Sequence, residues 1–290
     1  MISRQTLTIS CEFFPPRTEQ GMLKLKQTRE QLQPLKPAFY SVTFGAGGST
    51  QEKTFETIVD IQQHSEIEAA PHLSCIGSSR KTIRNWLNTY KEQGVKRIVA
   101  LRGDLPSGQV GSAGEFRYAN ELVRFIRQET GDHFQIEVAA YPEVHPQARS
   151  ASADFNYFQQ KVNAGANSAI TQYFYNADAY FYFLERCQQR NIEIPIIPGI
   201  MPISNYEQLV RFSNICMAEI PRWLRQRLEE LEADKAALRA FGLDVVTHLC
   251  EQLLHQGAPG LHFYTLNQAG LVLEMTRRLG LLTTPVATHS

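Results

Sequence analysis

The stretch TISCEFFPPR (8–17) places a carboxylate, Glu12, at the end of an extended apolar run, followed by two phenylalanines and pinned by Pro15 and Pro16. Apolar surroundings disfavour the charged form of a carboxyl. The stretch therefore predicts a pKa raised toward about 6–7, which would let Glu12 hold a proton for delivery near neutral pH. A strand-end glutamate turned to solvent is the competing reading. Other groups able to do chemistry follow short β-rich runs in the same way: Thr43, His72, the RGD triplet of Arg102, Gly103 and Asp104, then Tyr141, Glu143 and His145 in YPEVHP, Gln172, and Tyr264 with Asn267. Singly, each has an ordinary role as a core histidine, a turn cap or a polar rim residue. Acids, imidazoles and amides gathered on one rim point instead to catalysis.

Gathering them requires a particular scaffold. Strands are predicted near 7–13, 39–44, 69–75, 96–101, 134–141, 168–174, 194–199 and 260–265, and the intervals carry helical periodicity, as in TFETIVDIQQH and ELVRFIRQETG. Alternating β and α elements imply a parallel sheet. Eight of them favour closure into a (β/α)8 TIM barrel, for which about 250 residues is usual. An open doubly wound sheet is the alternative. Only the interval 204–256 is long; it should hold two or three extra helices before the last strand, and nothing in it marks a second domain, so residues 1–290 are expected to form one catalytic domain. In such a barrel the active site lies at the carboxyl ends of the strands, where the groups above fall.

Several other chemistries lack their signatures. FGAGGST (44–50) and GQVGSAGE (108–115) are glycine-rich loops, but neither completes a dinucleotide fingerprint or a P-loop. No serine elbow or H-E-x-x-H pattern occurs, and no close pair of ligands supports a metal site. Lysine plus arginine balance aspartate plus glutamate, 29 to 29, with no basic run, so a nucleic-acid partner is not expected. The five cysteines are scattered and never in C-x-x-C spacing, which suits reduced thiols. No signal-peptide core or membrane-length apolar run is seen, and a cytoplasmic protein is expected. Aromatic residues near the rim, among them Phe13, Phe14, Phe44, Tyr173 and Tyr264, suit planar heterocycles that need stacking area and a few orienting hydrogen bonds.

CEFFPPR, SVTFGAGGST, AAPHLSC, ALRGDLP, AAYPEVHP, NAGANSAITQYFYN, IPIIPGIMPISNY and HFYTLNQ together resemble, in order and over nearly the whole chain, the methylenetetrahydrofolate reductase family in its short bacterial form. The resemblance implies an FAD-bearing barrel that reduces 5,10-methylenetetrahydrofolate to 5-methyltetrahydrofolate with electrons from NADH or NADPH, by ping-pong kinetics and as a homo-oligomer. By position, Glu12 matches the general acid and Asp104 a carboxylate between flavin and pterin. Thr43, Phe44, His72, Arg102, Gly103, Asp104, Tyr118, Ala119, Ala139, Tyr141, His145, Asp154 and Lys161 match positions around FAD. Gln172, Gln208, Phe212 and Gln268 match folate contacts. Two departures stand out: Gln160 replaces an arginine near the FAD diphosphate, and Gln268 replaces an arginine that would meet the folate's acidic tail. A carrier that only binds folate or flavin, and a pterin-dependent methyl transferase without FAD, are the rival readings on the same barrel.

Overall fold

Among the described residues nine short strands run in order: β1 (Thr8–Phe13), β2 (Phe39–Val42), β3 (Glu68–Ser74), β4 (Arg97–Leu101), β5 (Gln135–Ala140), β6 (Ser168–Thr171), β7 (Ile196–Ile197), β8 (Gly199–Ile200) and β9 (Gly260–Tyr264). All pair in parallel, in the order β7-β6-β5-β4-β3-β2-β1-β9-β8. The coordinates are a computed structural model describing residues 7–44, 48–103 and 114–282. The ends of the order, β7 and β8, flank Pro198, so they are two halves of one barrel position. Proline has no N–H to donate, and the ladder breaks there. The predicted strand 194–199 is accordingly two dipeptides, one bonded to β6 and the other to β9, and together they close a (β/α)8 barrel.

Among the described residues ten helices cover the sheet: α1 (Glu19–Leu32), α2 (Gly48–His64), α3 (Arg80–Glu92), α4 (Ala119–Thr130), α5 (Ala151–Asn163), α6 (Ala177–Gln189), α7 (Tyr206–Cys216), α8 (Arg222–Glu230), α9 (Lys235–His255) and α10 (Gly270–Arg278). Several begin where the sequence supplies a cap. The side chains of Thr18, Ser79, Ser150, Asn176, Asn205 and Asp234 accept from backbone N–H groups of the first turns of α1, α3, α5, α6, α7 and α9. The long interval before the last strand holds α7, α8 and α9, as expected. Among the described residues no helix is long and apolar enough to cross a membrane.

Alternation along the strands separates two cores. Ile9, Cys11 and Phe13 of β1 join the large apolar cluster between sheet and helices, whereas Ser10 and Glu12, at the intervening positions, face His262 and His72 across the barrel interior. A small cluster of Phe39, Ala70, Val99 and Ile170 fills the middle of that interior. Below it, toward the amino ends of the strands, Arg97 pairs with Glu68 (2.9 Å) and Glu137 (2.5 Å), and Ser168 donates to Glu137 (2.5 Å). Above it, the polar residues of the strand ends surround a cavity.

Candidate active site

Glu12 sits on the floor of that cavity. Its side chain is 14% exposed, so the solvent-facing alternative does not hold. Oε2 lies 3.2 Å from His72 Nε2 on β3 and 3.6 Å from His262 Nε2 on β9. His262 is wholly buried; Ser10 Oγ is 2.7 Å from its Nδ1, and Phe39 stacks on the ring at a centroid distance of 6.0 Å. Both Nε2 atoms are buried without a well-aligned hydrogen bond. The backbone around Glu12 is fixed from β9 and its loop. Thr265 Oγ1 donates to Glu12 O (2.6 Å), and the Asn267 amide pairs with both N–H and C=O of Phe14 (2.8 and 3.0 Å).

The expected rise in the Glu12 pKa is reversed. Burial pushes the carboxyl up, but the charge of His72 and the hydrogen-bonding imidazoles of His262 and His72 outweigh it and hold the group down at about 2. The flanking phenylalanines do not decide the shift: Phe13 packs outward against Tyr40, Phe14 only lines the cavity, and the groups that face the carboxylate come from β3 and β9, remote in the chain. The attraction to His72 exists only while that ring is protonated. The carboxylate therefore faces the cavity with the two imidazoles behind it.

The cavity, about 300 Å³, is mostly apolar. Thr43, His72, Ala139, Tyr141, Gln172 and Phe212 of the expected set line it with Glu12. A second cavity, about 360 Å³, adjoins it and shares Leu101, Ala139 and Tyr141 with it. Into this one face Arg102, Gly103, Tyr118, Ala119, His145, Asp154 and Lys161, all expected. Lys161 is the most unusual of these: Nζ donates to Ala139 O, and burial pushes its ammonium down to about 8, with Asp154 pulling the other way. Arg102 donates to Gln147, and Asp154 accepts from the His145 N–H (2.9 Å). Gly103 has φ +80°, and a Cβ there would lie 2.9 Å from Ser74 Cβ, so glycine lets the chain turn at the edge of the second cavity. Gln160 Oε1 accepts from Asn120, another lining residue (3.2 Å).

Four expected positions fall elsewhere. Phe44 follows Thr43, half-buried, and is not in the described lining of either cavity. Gln208 lies one turn before Phe212 on α7, and Gln268 is exposed in the turn after β9; neither is in that lining. Asp104 lies outside the described residues, as do 45–47 of the first glycine-rich loop and 108–113 of the second. Conversely, Ser10, His262 and Tyr157 belong to the site without having been expected. Tyr157 stacks on Tyr118 at 5.3 Å and 18°, and with Asp154 and Lys161 it follows the helical i, i+3, i+7 spacing on α5, a signal that was available in the sequence.

A parallel barrel with an acid–imidazole cluster under an apolar cavity, beside a cation-lined one, defines a TIM-barrel protein with its polar groups at the carboxyl ends of the strands, where this fold carries its sites. The family model for methylenetetrahydrofolate reductase matches residues 1–280, and the chain belongs to that family. A relative from Pectobacterium carotovorum subsp. carotovorum, named 5,10-methylenetetrahydrofolate reductase, is 41% identical over 94% of this chain and 90% of its own. One from Oryza sativa subsp. japonica, named probable methylenetetrahydrofolate reductase (NADH), is 39% identical over 94% of this chain and 48% of its own. Among solved structures, a protein from Clostridium thermocellum described as binding two copies of 5-methyl-5,6,7,8-tetrahydrofolic acid aligns with TM-score 0.63 and 17% identity. The alignment covers 95% of this chain and 96% of that one, and at that identity it speaks to the fold alone.

Proposed function

We propose that the protein reduces 5,10-methylenetetrahydrofolate to 5-methyltetrahydrofolate with electrons from NADH or NADPH passed by FAD, the two substrates taking turns at one site. The observation that carries this reading is the adjoining of the two cavities: an apolar one with a buried acid–imidazole cluster on its floor, and one with cations and stacked tyrosines. The second fits the FAD tail by its donor set. Lys161, half-buried and only partly offset by Asp154, and Arg102 on the same wall supply positive charge that a diphosphate would pair with, and the Tyr118–Tyr157 pair offers stacking area beside Ala119. Gln160, bonded to Asn120, contributes no charge there. FAD, when bound, supplies the two-electron relay between nicotinamide and folate.

The chain's own residues do the rest. Gln172 and Phe212 face the folate in the first cavity, with Gln208 and Gln268 toward its outer part. Glu12 delivers a proton to N10 of the folate, opening the five-membered ring to an iminium cation, with His72 and His262 oriented behind its carboxyl group. Asp104, if placed as in relatives, stabilises that cation. The names of the Pectobacterium and rice relatives, the second with NADH in it, support the substrate pair. We further propose a cytoplasmic, homo-oligomeric, single-domain enzyme that supplies methyl groups for methionine synthesis. The test is spectroscopic. The purified protein should show flavin absorbance that bleaches anaerobically with NADH or NADPH and returns on adding methylenetetrahydrofolate. A protein without flavin, or a reduced flavin that the folate leaves bleached, would overturn the reading.

A further inference from the structure

YPEVHP contains one group, Glu143, that the proposed chemistry does not use. Its Oε2 accepts a hydrogen bond from the Glu219 backbone N–H at 2.8 Å, bridging the loop after β5 and the connection between α7 and α8. The next residue, Val144, has φ +83°, left-handed backbone that a β-branched side chain rarely adopts. Strain of this kind persists where the surroundings over-determine it. Here the Val144 N–H donates to Tyr141 O (3.4 Å), the His145 N–H donates to Asp154 (2.9 Å), and Glu143 reaches across to Glu219. The turn thus presents Tyr141, in a T-shaped contact with His145 at 4.5 Å, where the two cavities join.

At the far end of the bond, the last turn of α7 forms a wall of the first cavity through Phe212, Ile215 and Cys216. Packing holds only one side of that turn: Cys216 lies against the main core, and Ala218 and Ile220, on either side of Glu219, are buried. Ile215 lines the cavity yet is 69% exposed, and Met217, which ends the helix at φ +56°, is 61% exposed. Hydrogen bonds hold the exposed side: Ser213 Oγ to Tyr173 OH (3.0 Å), Cys216 Sγ to Tyr173 OH (3.3 Å), and the Glu143–Glu219 bond.

We propose that Glu143 is a positioning residue: through the Glu219 N–H it fixes the end of α7, and with it Phe212, over the first cavity, and ties that wall to the strained turn carrying Tyr141 and His145. The inference rests on the proposed function for its substrate, but not for its geometry. Loss of the bond acts on the KM for methylenetetrahydrofolate more than on kcat, because the wall is displaced while the Glu12 cluster is untouched.

The experiment compares Glu143→Ala and Glu143→Gln holoenzymes by two readouts. One is KM and kcat with methylenetetrahydrofolate. The other is the rate at which iodoacetamide alkylates Cys216, followed by peptide mass spectrometry. Cys216 is half-buried whereas Cys11, Cys75, Cys187 and Cys250 are buried, so its labelling reports on the end of α7. Glu143→Ala is expected to raise KM by about tenfold, the effect of one lost hydrogen bond, with kcat nearly unchanged and Cys216 labelled several-fold faster, by about the same factor. Glu143→Gln keeps an acceptor oxygen and should stay near the parent in both. Glu219→Pro removes the donor instead of the acceptor and should reproduce the Glu143→Ala result even where that variant folds poorly. Parental KM and labelling in Glu143→Ala or Glu219→Pro would overturn the proposal, as would equal defects in the Ala and Gln variants. A parent without reductase activity would sink the functional reading, while Cys216 labelling would still decide the clamp.

Discussion

Two buried charge clusters sit at opposite ends of one barrel interior, and they are built differently. At the amino ends of the strands, Arg97 bridges Glu68 and Glu137, lies 4.6 Å from the centre of the Phe39 ring, and leaves no orphaned atom; the second oxygen of Glu137 takes the Ser168 hydroxyl. At the carboxyl ends, Glu12 is approached by two imidazoles whose Nε2 atoms are buried and imperfectly bonded, under an open cavity. A buried charge with every hydrogen-bonding position filled is committed to holding the chain together. One with capacity left over, facing a cavity, can move a proton. The difference separates a structural plug from a candidate acid within about the length of one strand.

The most direct way to break the comparison is Glu12→Gln, which keeps the shape and removes the charge. Reoxidation of the reduced enzyme by methylenetetrahydrofolate should fall by about 10²–10⁴-fold, the usual contribution of a positioned acid, while reduction by NADH or NADPH stays near parental in stopped-flow traces. A parental rate of reoxidation would return Glu12 to the status of the plug. The same variant has a stability signature. Because the folded-state pKa lies near 2, below the ordinary 4.5, Glu12 adds stability that is fully present above about pH 4.5 and is lost as pH falls toward 2. Acid unfolding of Glu12→Gln should therefore be flatter across that window.

Next in size is Arg97→Met, which breaks the plug from its cationic side. Glu137, 2% exposed, then keeps only the Ser168 hydroxyl, and the cost should be about 3–5 kcal/mol in urea unfolding. The folded fraction should keep near-parental half-reactions. A loss under about 1 kcal/mol would mean that the lower cluster is no more committed to stability than an exposed pair.

How much of this contrast the sequence displays depends on distance along the chain. The eight barrel positions were legible because parallel strands buried on both faces read as short apolar runs, and capping residues such as Ser150 and Asn205 mark the helix starts. The break at Pro198 was legible too, since a proline inside IPIIPG cannot donate to the ladder, yet the run was read as a single strand. The position of Glu12 at a strand end was plain. Its charge state was not, because it depends on His72 and His262, which only barrel closure brings to it; the local neighbours Phe13 and Phe14 suggested the opposite shift. Ser10 was hidden for the same reason. Its alternation with Glu12 shows the shared face, but its partner His262 is supplied by β9.

The smallest and sharpest comparison removes one hydroxyl from each cluster. Ser168→Ala leaves Glu137 Oε2 without its donor, and Ser10→Ala leaves His262 Nδ1 without its partner at 2.7 Å. Each orphaned group should cost about 1–3 kcal/mol of stability, so thermal or urea unfolding alone cannot tell the two sites apart. Turnover can. The Ser10 hydroxyl, which can donate to or accept from Nδ1, fixes the orientation of the His262 ring, whose other nitrogen faces Glu12. Ser10→Ala should therefore slow the folate half-reaction by about tenfold, a barrier change of about 1.4 kcal/mol, and shift its pH profile. Ser168→Ala should leave both half-reactions within about twofold, because its hydroxyl ends on a carboxylate that is already paired with Arg97. Equal effects of the two variants on the folate half-reaction would show that the hydrogen bond to His262 only fills space, and that the upper cluster differs from the lower one in Glu12 and His72 alone.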